Sequence, residues 1–267
     1  MRLGRLALCL VVLGGETACA GSSSSKQPAT VLMTADVAPL AVDLRSVPLT
    51  PGLRWVDVPS ASREPRRMLL LVPNEVQSLG PRPLLVFLHG AGGGSKLPDR
   101  LACLVAPAFA GMAPIVVAPL GHAGEWWNDE ESAYVLGLVD AAARDWRLDT
   151  RRFVVMGYSN GGIGAWFLAR LYPERFSAAI PMAANHAIIG ESPLPIRVIH
   201  GSNDALFDVS RVRAAVDALA RRGQDVSLVV KDGGQHGAPC SYVPELSAAA
   251  VWLNDHVWKR PATPATP

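Results

Sequence analysis

Arg152-Phe-Val-Val-Met-Gly-Tyr-Ser-Asn-Gly-Gly-Ile-Gly-Ala-Trp166 divides into three short pieces. Residues 153–156 are an apolar run of the length and composition of a buried strand. The run leads directly into Gly157-x-Ser159-x-Gly161, and a helical pattern follows. A serine on a sharp strand-to-helix turn is held out at the end of a sheet, where its hydroxyl is free to meet other groups. Glycine suits positions 157 and 161, because such a turn brings strand and helix backbones together and a Cβ would clash. Gly162 and Gly164 weaken a helix, so close packing is the physical reason for them. Three fixed residues in five recur by chance. The flanking strand and helix give the pattern its weight.

On both sides of this stretch the text alternates. Strands are expected at 53–58, 67–72, 83–88, 114–119, 178–182, 196–199 and 226–230. Helices are expected at 97–109 (interrupted at Pro107), 130–146, from Ser159 to about Tyr172, 210–222 and 244–258. Val135, Leu138, Val139, Ala142 and Trp146 share one helical face. Pro173 disfavours helix in the residue before it, and Gly223 closes the helix it follows. Residues 31–47 read either as an edge strand or as irregular chain. Strands alternating with helices predict an α/β fold with a mostly parallel central sheet covered on both faces. One domain is expected, residues 51–260, with a disordered tail at 261–267. Only about a dozen residues separate the strands at 178–182 and 196–199, too few for a large lid domain.

The chain has 267 residues, of which 49% are hydrophobic and 18% charged, enough for one sizeable core. The net charge is +2 and the basic residues form no run, so nothing points to nucleic acid. Residues 1–20 read as a secretory signal: Arg2 and Arg5, then eight apolar residues, then small residues around Ala18-Cys19-Ala20. Eight apolar residues cannot span a bilayer. Two processing readings stand, ordinary cleavage after Ala20 or a lipoprotein signal that leaves Cys19 lipidated. Both take the protein out of the cytoplasm, and the second alone gives it a membrane anchor. Residues 21–50 are then a flexible tether and an N-terminal extension. Cys103 and Cys240 remain in the mature chain. They are either two buried thiols or, in an oxidising compartment, a disulfide.

A serine nucleophile needs a base within hydrogen-bond reach, and the base needs an orienting acid. On this kind of sheet the order along the chain is serine, acid, histidine. His236, in Gly233-Gly-Gln-His-Gly237 after the last strand, is the expected base. His256 lies in the terminal helix beside Asp255 and reads as a surface or packing residue. Asp204 follows the strand at 196–199 and is the expected acid. Asp208 is the alternative, also suited to capping a helix, and Glu191 is a remote third. A developing oxyanion needs two backbone N–H donors. Asn160 supplies one, and Ala91 or Gly92, in the glycine loop after His89, supplies the other. His89 and His200 are expected to brace their loops. No Gly-x-x-x-x-Gly-Lys occurs, nor a Gly-x-Gly-x-x-Gly with its following acid, so nucleotide binding is not expected. Trp126, Trp127, Tyr158, Asn185 and His186 fall on loops facing one rim. They are candidate substrate-binding residues, although the tryptophans would equally pack beneath their loop.

His89-Gly90-x-Gly92, Gly157-x-Ser159-x-Gly161, His200-Gly201-x-x-Asp204 and Gly234-x-His236, in that order, resemble the α/β-hydrolase superfamily across nearly the whole chain. Tyr158-Ser-Asn-Gly-Gly162 and Tyr172-Pro-Glu-Arg-Phe176 resemble its phospholipase/carboxylesterase and dienelactone-hydrolase-like group, with secreted polyester depolymerases and feruloyl esterases as relatives. The resemblance implies hydrolysis of carboxylic esters through an acyl-enzyme, with no metal and no cofactor. Ser159 would attack, His236 would move the proton and Asp204 would orient His236. The serine argues against the activity of true dienelactone hydrolases, whose nucleophile is cysteine. A serine peptidase or acyl-aminoacyl hydrolase on the same residues, and a cell-envelope binding protein without turnover, are the competing readings.

Overall fold

Continuous apolar runs form the middle of one eight-stranded sheet, and mixed runs form its edges. The computed structural model describes residues 37–62, 65–77, 80–92, 94–121, 124–185 and 190–259, all within one unit, Thr34–Pro267. The signal, the tether, the tail, His122 and His186 lie outside the described residues. β3 (Arg82–Leu88), β4 (Ile115–Pro119) and β6 (Ala178–Met182) are buried along their whole length. β5 (Leu148–Tyr158) is buried over its last six residues. β7 (Ile196–Gly201) and β8 (Val226–Lys231) complete the parallel part. β1 (Gly52–Val58) and β2 (Arg66–Val72) pair antiparallel with each other, and β2 pairs antiparallel with β4. The order across the sheet is β1-β2-β4-β3-β5-β6-β7-β8.

Alternation along each strand divides the core in two. Leu84, Val86 and Leu88 of β3 face a core shared with α3 (Asp129–Asp145), α4 (Asn160–Leu171) and α5 (Val209–Arg221). Leu85 and Phe87 face the opposite core. That core holds α1 (Leu97–Arg100), a π-helical turn at Leu101–Val105, α2 (Ala106–Ala108) and α6 (Val243–Trp252). The interruption expected at Pro107 does not occur: helical backbone runs from Leu97 to Ala108, and the wider π-helical turn at Leu101–Val105 precedes the proline. Asn128 caps α3, accepting from the Glu131 N–H at 2.9 Å. Asp208 caps α5, accepting from the Ser210 N–H at 2.7 Å.

The strand order has a consequence for function. From β3 the chain crosses to β4 on one side, and from β5 it crosses to β6 on the other. Loops leaving two such neighbouring strands part and open a crevice at the carboxyl ends, the usual ligand position in open α/β sheets. The glycine loop leaves β3 and the Ser159 turn leaves β5, so both stand at that crevice.

Two expectations are corrected. The buried strand expected at 153–156 is the apolar centre of a longer one. Its first residues include Asp149 and Arg151, whose polar side chains hide it from an apolar pattern. The packed chain also begins before residue 51. Val42, Leu44 and Val47 are buried in the core. The Leu40 N–H bonds the Ala133 carbonyl at 2.8 Å, and the Leu44 N–H bonds Asp145 at 2.8 Å. This segment makes a single β-bridge, Val42 to Ser60, and is otherwise irregular. Three apolar side chains at uneven spacing carry no periodicity to read.

Candidate active site

Ser159 sits between β5 and α4 with φ +58° and ψ −120°, a left-handed-side conformation that an L-residue adopts only under constraint. The constraint is the close approach of three backbones. A Cβ on Gly157 would collide with the Gly161 carbonyl, and a Cβ on Gly161 would collide with the Leu88 carbonyl at the end of β3. Gly162 lies against the Met182 carbonyl in the same way. The Ser159 N–H is held by the Met182 carbonyl at 2.9 Å. The turn is thus clamped between β3, α4 and β6, and the strained serine projects from it.

His236 comes from the loop after β8, and its Nε2 lies 2.9 Å from the Ser159 Oγ. Its Nδ1–H donates to Asp204 Oδ2 at 2.8 Å. The Asp204 side chain is fully buried. Its Oδ1 accepts the N–H groups of Leu206 and Phe207, each at 2.9 Å, so the buried carboxylate is satisfied on both oxygens. The fold therefore brings Ser159, His236 and Asp204 into one hydrogen-bonded line. Asp208 caps α5 instead, and Glu191 pairs with Arg222 at the surface. His256 pairs with Asp225 and stacks on Trp252.

The glycine loop lies directly over the serine turn. A Cβ on Gly90 would stand 3.2 Å from Ser159 Cβ and 3.1 Å from the Tyr158 carbonyl. His89 is wholly buried. Its Nδ1–H donates to the Gly90 carbonyl at 2.8 Å, and its Nε2 accepts the Gly121 N–H at 3.2 Å. Burial, first of all, lowers its pKa and keeps it in the neutral form that can both donate and accept. The C=O and N–H of a trans peptide point in opposite directions. By holding the Gly90 oxygen, His89 aims the Ala91 N–H the other way. Asn160 opens α4, where an amide has no partner within its own helix. His200 is also buried and donates from Nε2 to the Phe207 carbonyl at 2.8 Å, bracing the acid loop.

Two of the proposed rim residues are structural. Trp126 is wholly buried, donates from Nε1 to the His89 carbonyl at 2.8 Å and packs edge-on against the His89 ring. Gly121 and Gly164 leave room for its ring and Cβ. Tyr158 is buried as well, and its hydroxyl donates to the His236 carbonyl at 2.9 Å. A large ring next to Ser159 in sequence alternates to the sheet's interior. Trp127 and Asn185 are half-buried. Phe207, absent from the sequence reading, stands edge-on to the His236 ring at 5.4 Å, and its neighbour Leu206 is 66% exposed. Their place one turn beyond the acid was the only available signal.

The His236 loop is secured from below. Tyr242 is buried, packs edge-on against Tyr158, and its hydroxyl, pushed up to about 12 by burial, faces the Gln235 carbonyl at 3.4 Å. Cys240 is joined to Cys103 by a disulfide, with Cα atoms 5.4 Å apart across 137 residues of sequence. Among the described residues, no group of three or more His, Cys, Asp or Glu is placed to hold a metal, and no helix is long and apolar enough to cross a membrane.

The sheet order, the serine turn and the line of three side chains define the class of fold: the chain has an α/β-hydrolase fold, and it is similar in sequence to proteins designated esterases. It is 28% identical over 227 residues to NocK of Nocardia uniformis subsp. tsuyamanensis, a protein designated an esterase, across 76% of this chain and 64% of NocK. The chain thus spans just under two-thirds of that relative. It is 24% identical to a protein designated feruloyl esterase C from Aspergillus terreus, over 70% of this chain and 82% of the relative. Among solved structures, esterase 2 of Thermogutta terrifontis in its apo form shares the fold at a TM-score of 0.64 and 19% identity, covering 80% of this chain and 98% of its own. No family model matches the chain.

Proposed function

We propose that the protein is an exported serine carboxylesterase that works through an acyl-enzyme. The observation that carries this reading is the continuous line from Asp204 through His236 to the Ser159 Oγ, at 2.8 and 2.9 Å. Ser159 adds to the ester carbonyl as His236 Nε2 takes its proton, and the carbonyl electron pair moves onto oxygen. The N–H groups of Asn160 and of Ala91 or Gly92 receive that oxyanion. Collapse breaks the bond to the alcohol, which leaves with the proton from His236. Water, deprotonated by His236, then releases the acid and restores Ser159. Asp204 holds the imidazole in the required tautomer throughout.

The substrate is a short acyl or aryl ester, presented to an open site rimmed by Trp127, Phe207 and Leu206, with His186 as a further candidate. Residues 1–20 direct export. Cleavage after Ala20 frees the protein, and lipidation at Cys19 would anchor it. The stretch that follows residue 20, Gly21 to Gln27 above all, would serve as a tether to the catalytic domain. A series of p-nitrophenyl esters of increasing chain length, with matching anilides, tests the activity. Turnover of short esters, with fluorophosphonate labelling confined to Ser159, is expected. Preferential anilide cleavage would indicate a peptidase, and absence of both turnover and labelling would indicate a binding protein.

A further inference from the structure

Arg100, on α1, reaches the glycine loop at Gly90. Its Nη1 is buried and has no hydrogen-bond partner. Among the described residues no carboxylate forms an ion pair with it. Nη1 is 3.7 Å from the point where a Cβ on Gly90 would stand, and Ser159 Cβ is 3.2 Å from that same point. An unpaired guanidinium nitrogen is thereby set against the peptide that carries one expected oxyanion donor, on the side that meets the nucleophile. A buried donor left without a partner costs stability, and such groups call for a physical explanation.

We propose that Arg100 is a positioning residue of the oxyanion site, supplying through the Gly90–Ala91 peptide an uncompensated positive charge that favours the alkoxide formed when Ser159 adds to an ester. The inference rests on the serine esterase reading. Charge is the relevant property because the reacting carbonyl gains a full negative charge only in the transition state, and interactions that strengthen there raise kcat rather than lower KM. In a partly desolvated site a fixed cation a few ångströms away is weakly screened. The same guanidinium also opposes protonation of His89, in support of the larger effect of burial. His89 therefore stays neutral and keeps its grip on the Gly90 carbonyl.

The experiment compares Arg100→Gln and Arg100→Lys with the wild type, on p-nitrophenyl acetate and on an aryl trifluoromethyl ketone that forms a hemiketal oxyanion on Ser159. Arg100→Gln should lower kcat about ten- to a hundredfold with KM little changed. Its affinity for the ketone should fall by the same factor as kcat/KM. Arg100→Lys keeps the charge and should recover much of both. Wild-type kcat in Arg100→Gln overturns the inference. So does an equal loss in the Lys and Gln variants, or a loss in kcat/KM that ketone affinity does not follow. Fluorophosphonate labelling stoichiometry reports how much of each variant is folded, and if the Gln variant does not fold, a Lys variant inactive despite full labelling still overturns it. Absence of turnover and labelling in the wild type would instead sink the esterase reading.

Discussion

Ser159 and His236 lie 2.9 Å apart on segments held in place by different sets of contacts. The serine turn is held by backbone contacts. Glycines at 157, 161 and 162 let β3, α4 and β6 close around it, against the carbonyls of Leu88, Gly161 and Met182. The histidine loop has a glycine contact of its own, Gly234 against Gly201, where a Cβ on either would collide. It is also held by Tyr158 from β5, by Tyr242 and by a disulfide that reaches back to residue 103. Both segments use glycine to let backbones meet, and the histidine loop adds side-chain and covalent ties to that contact.

The largest effect should come from breaking the meeting itself. Ser159→Ala and His236→Ala should each lower kcat by about 10⁴–10⁶-fold, and the double variant should be no worse than the poorer single, because the two groups act as one unit. Additive losses would show that they act independently. Next is the tie to the histidine loop. Cys103→Ser with Cys240→Ser should cost about 2–5 kcal/mol in chemical denaturation, since the bridge closes a long loop. The His236 loop should loosen before the serine turn, seen as earlier hydrogen exchange at residues 233–240 than at 157–161.

The turn offers a smaller, sharper test. Gly161→Ala drives a Cβ into the Leu88 carbonyl and should cost about 1–3 kcal/mol with a disproportionate loss of activity. Full activity would mean that the clamp yields freely. Tyr158→Phe removes the hydroxyl that holds the His236 carbonyl and should cost about 1 kcal/mol, with a drop in kcat and little change in KM. The mildest effect is one of pH. Burial holds His89 below its ordinary value of 6.5, so as pH falls the unfolded chain takes up this proton first. The contribution of His89 is complete above about 6.5 and is lost as pH falls through the lower value of the folded protein. Urea midpoints between pH 7.5 and 5 should fall on the acid side, and His89→Asn should flatten that slope. An unchanged slope in the variant would assign the acid sensitivity to other groups.

Much of this site could be read along the chain because its parts sit at strand ends in a fixed order. Gly157-x-Ser159-x-Gly161 announces a close approach of backbones, although not that β3 and β6 supply the opposing carbonyls. Asp204 and His236 each follow a recognisable strand, so their approach to Ser159 follows from parallel topology. The aromatic rim was harder. Trp126 and Trp127 are adjacent in sequence, yet one is sealed under the His89 loop and the other is half-exposed. Tyr158 adjoins Ser159 but turns inward to hold the histidine loop. Which face a loop side chain takes depends on what else packs there, and that information is spread over distant residues.

Short-range chemistry therefore specified the α/β alternation, the strained serine and the order of its partners, since each rests on steric or periodic rules acting over a few residues. Folding in three dimensions settled the remainder: the pairing of Cys103 with Cys240, the burial of Trp126 and Tyr158, the packing of residues 40–47 into the core, and the Arg100 Nη1 left without a hydrogen-bond partner beside Gly90 and Ser159. These depend on contacts between segments tens of residues apart, for which no local pattern exists.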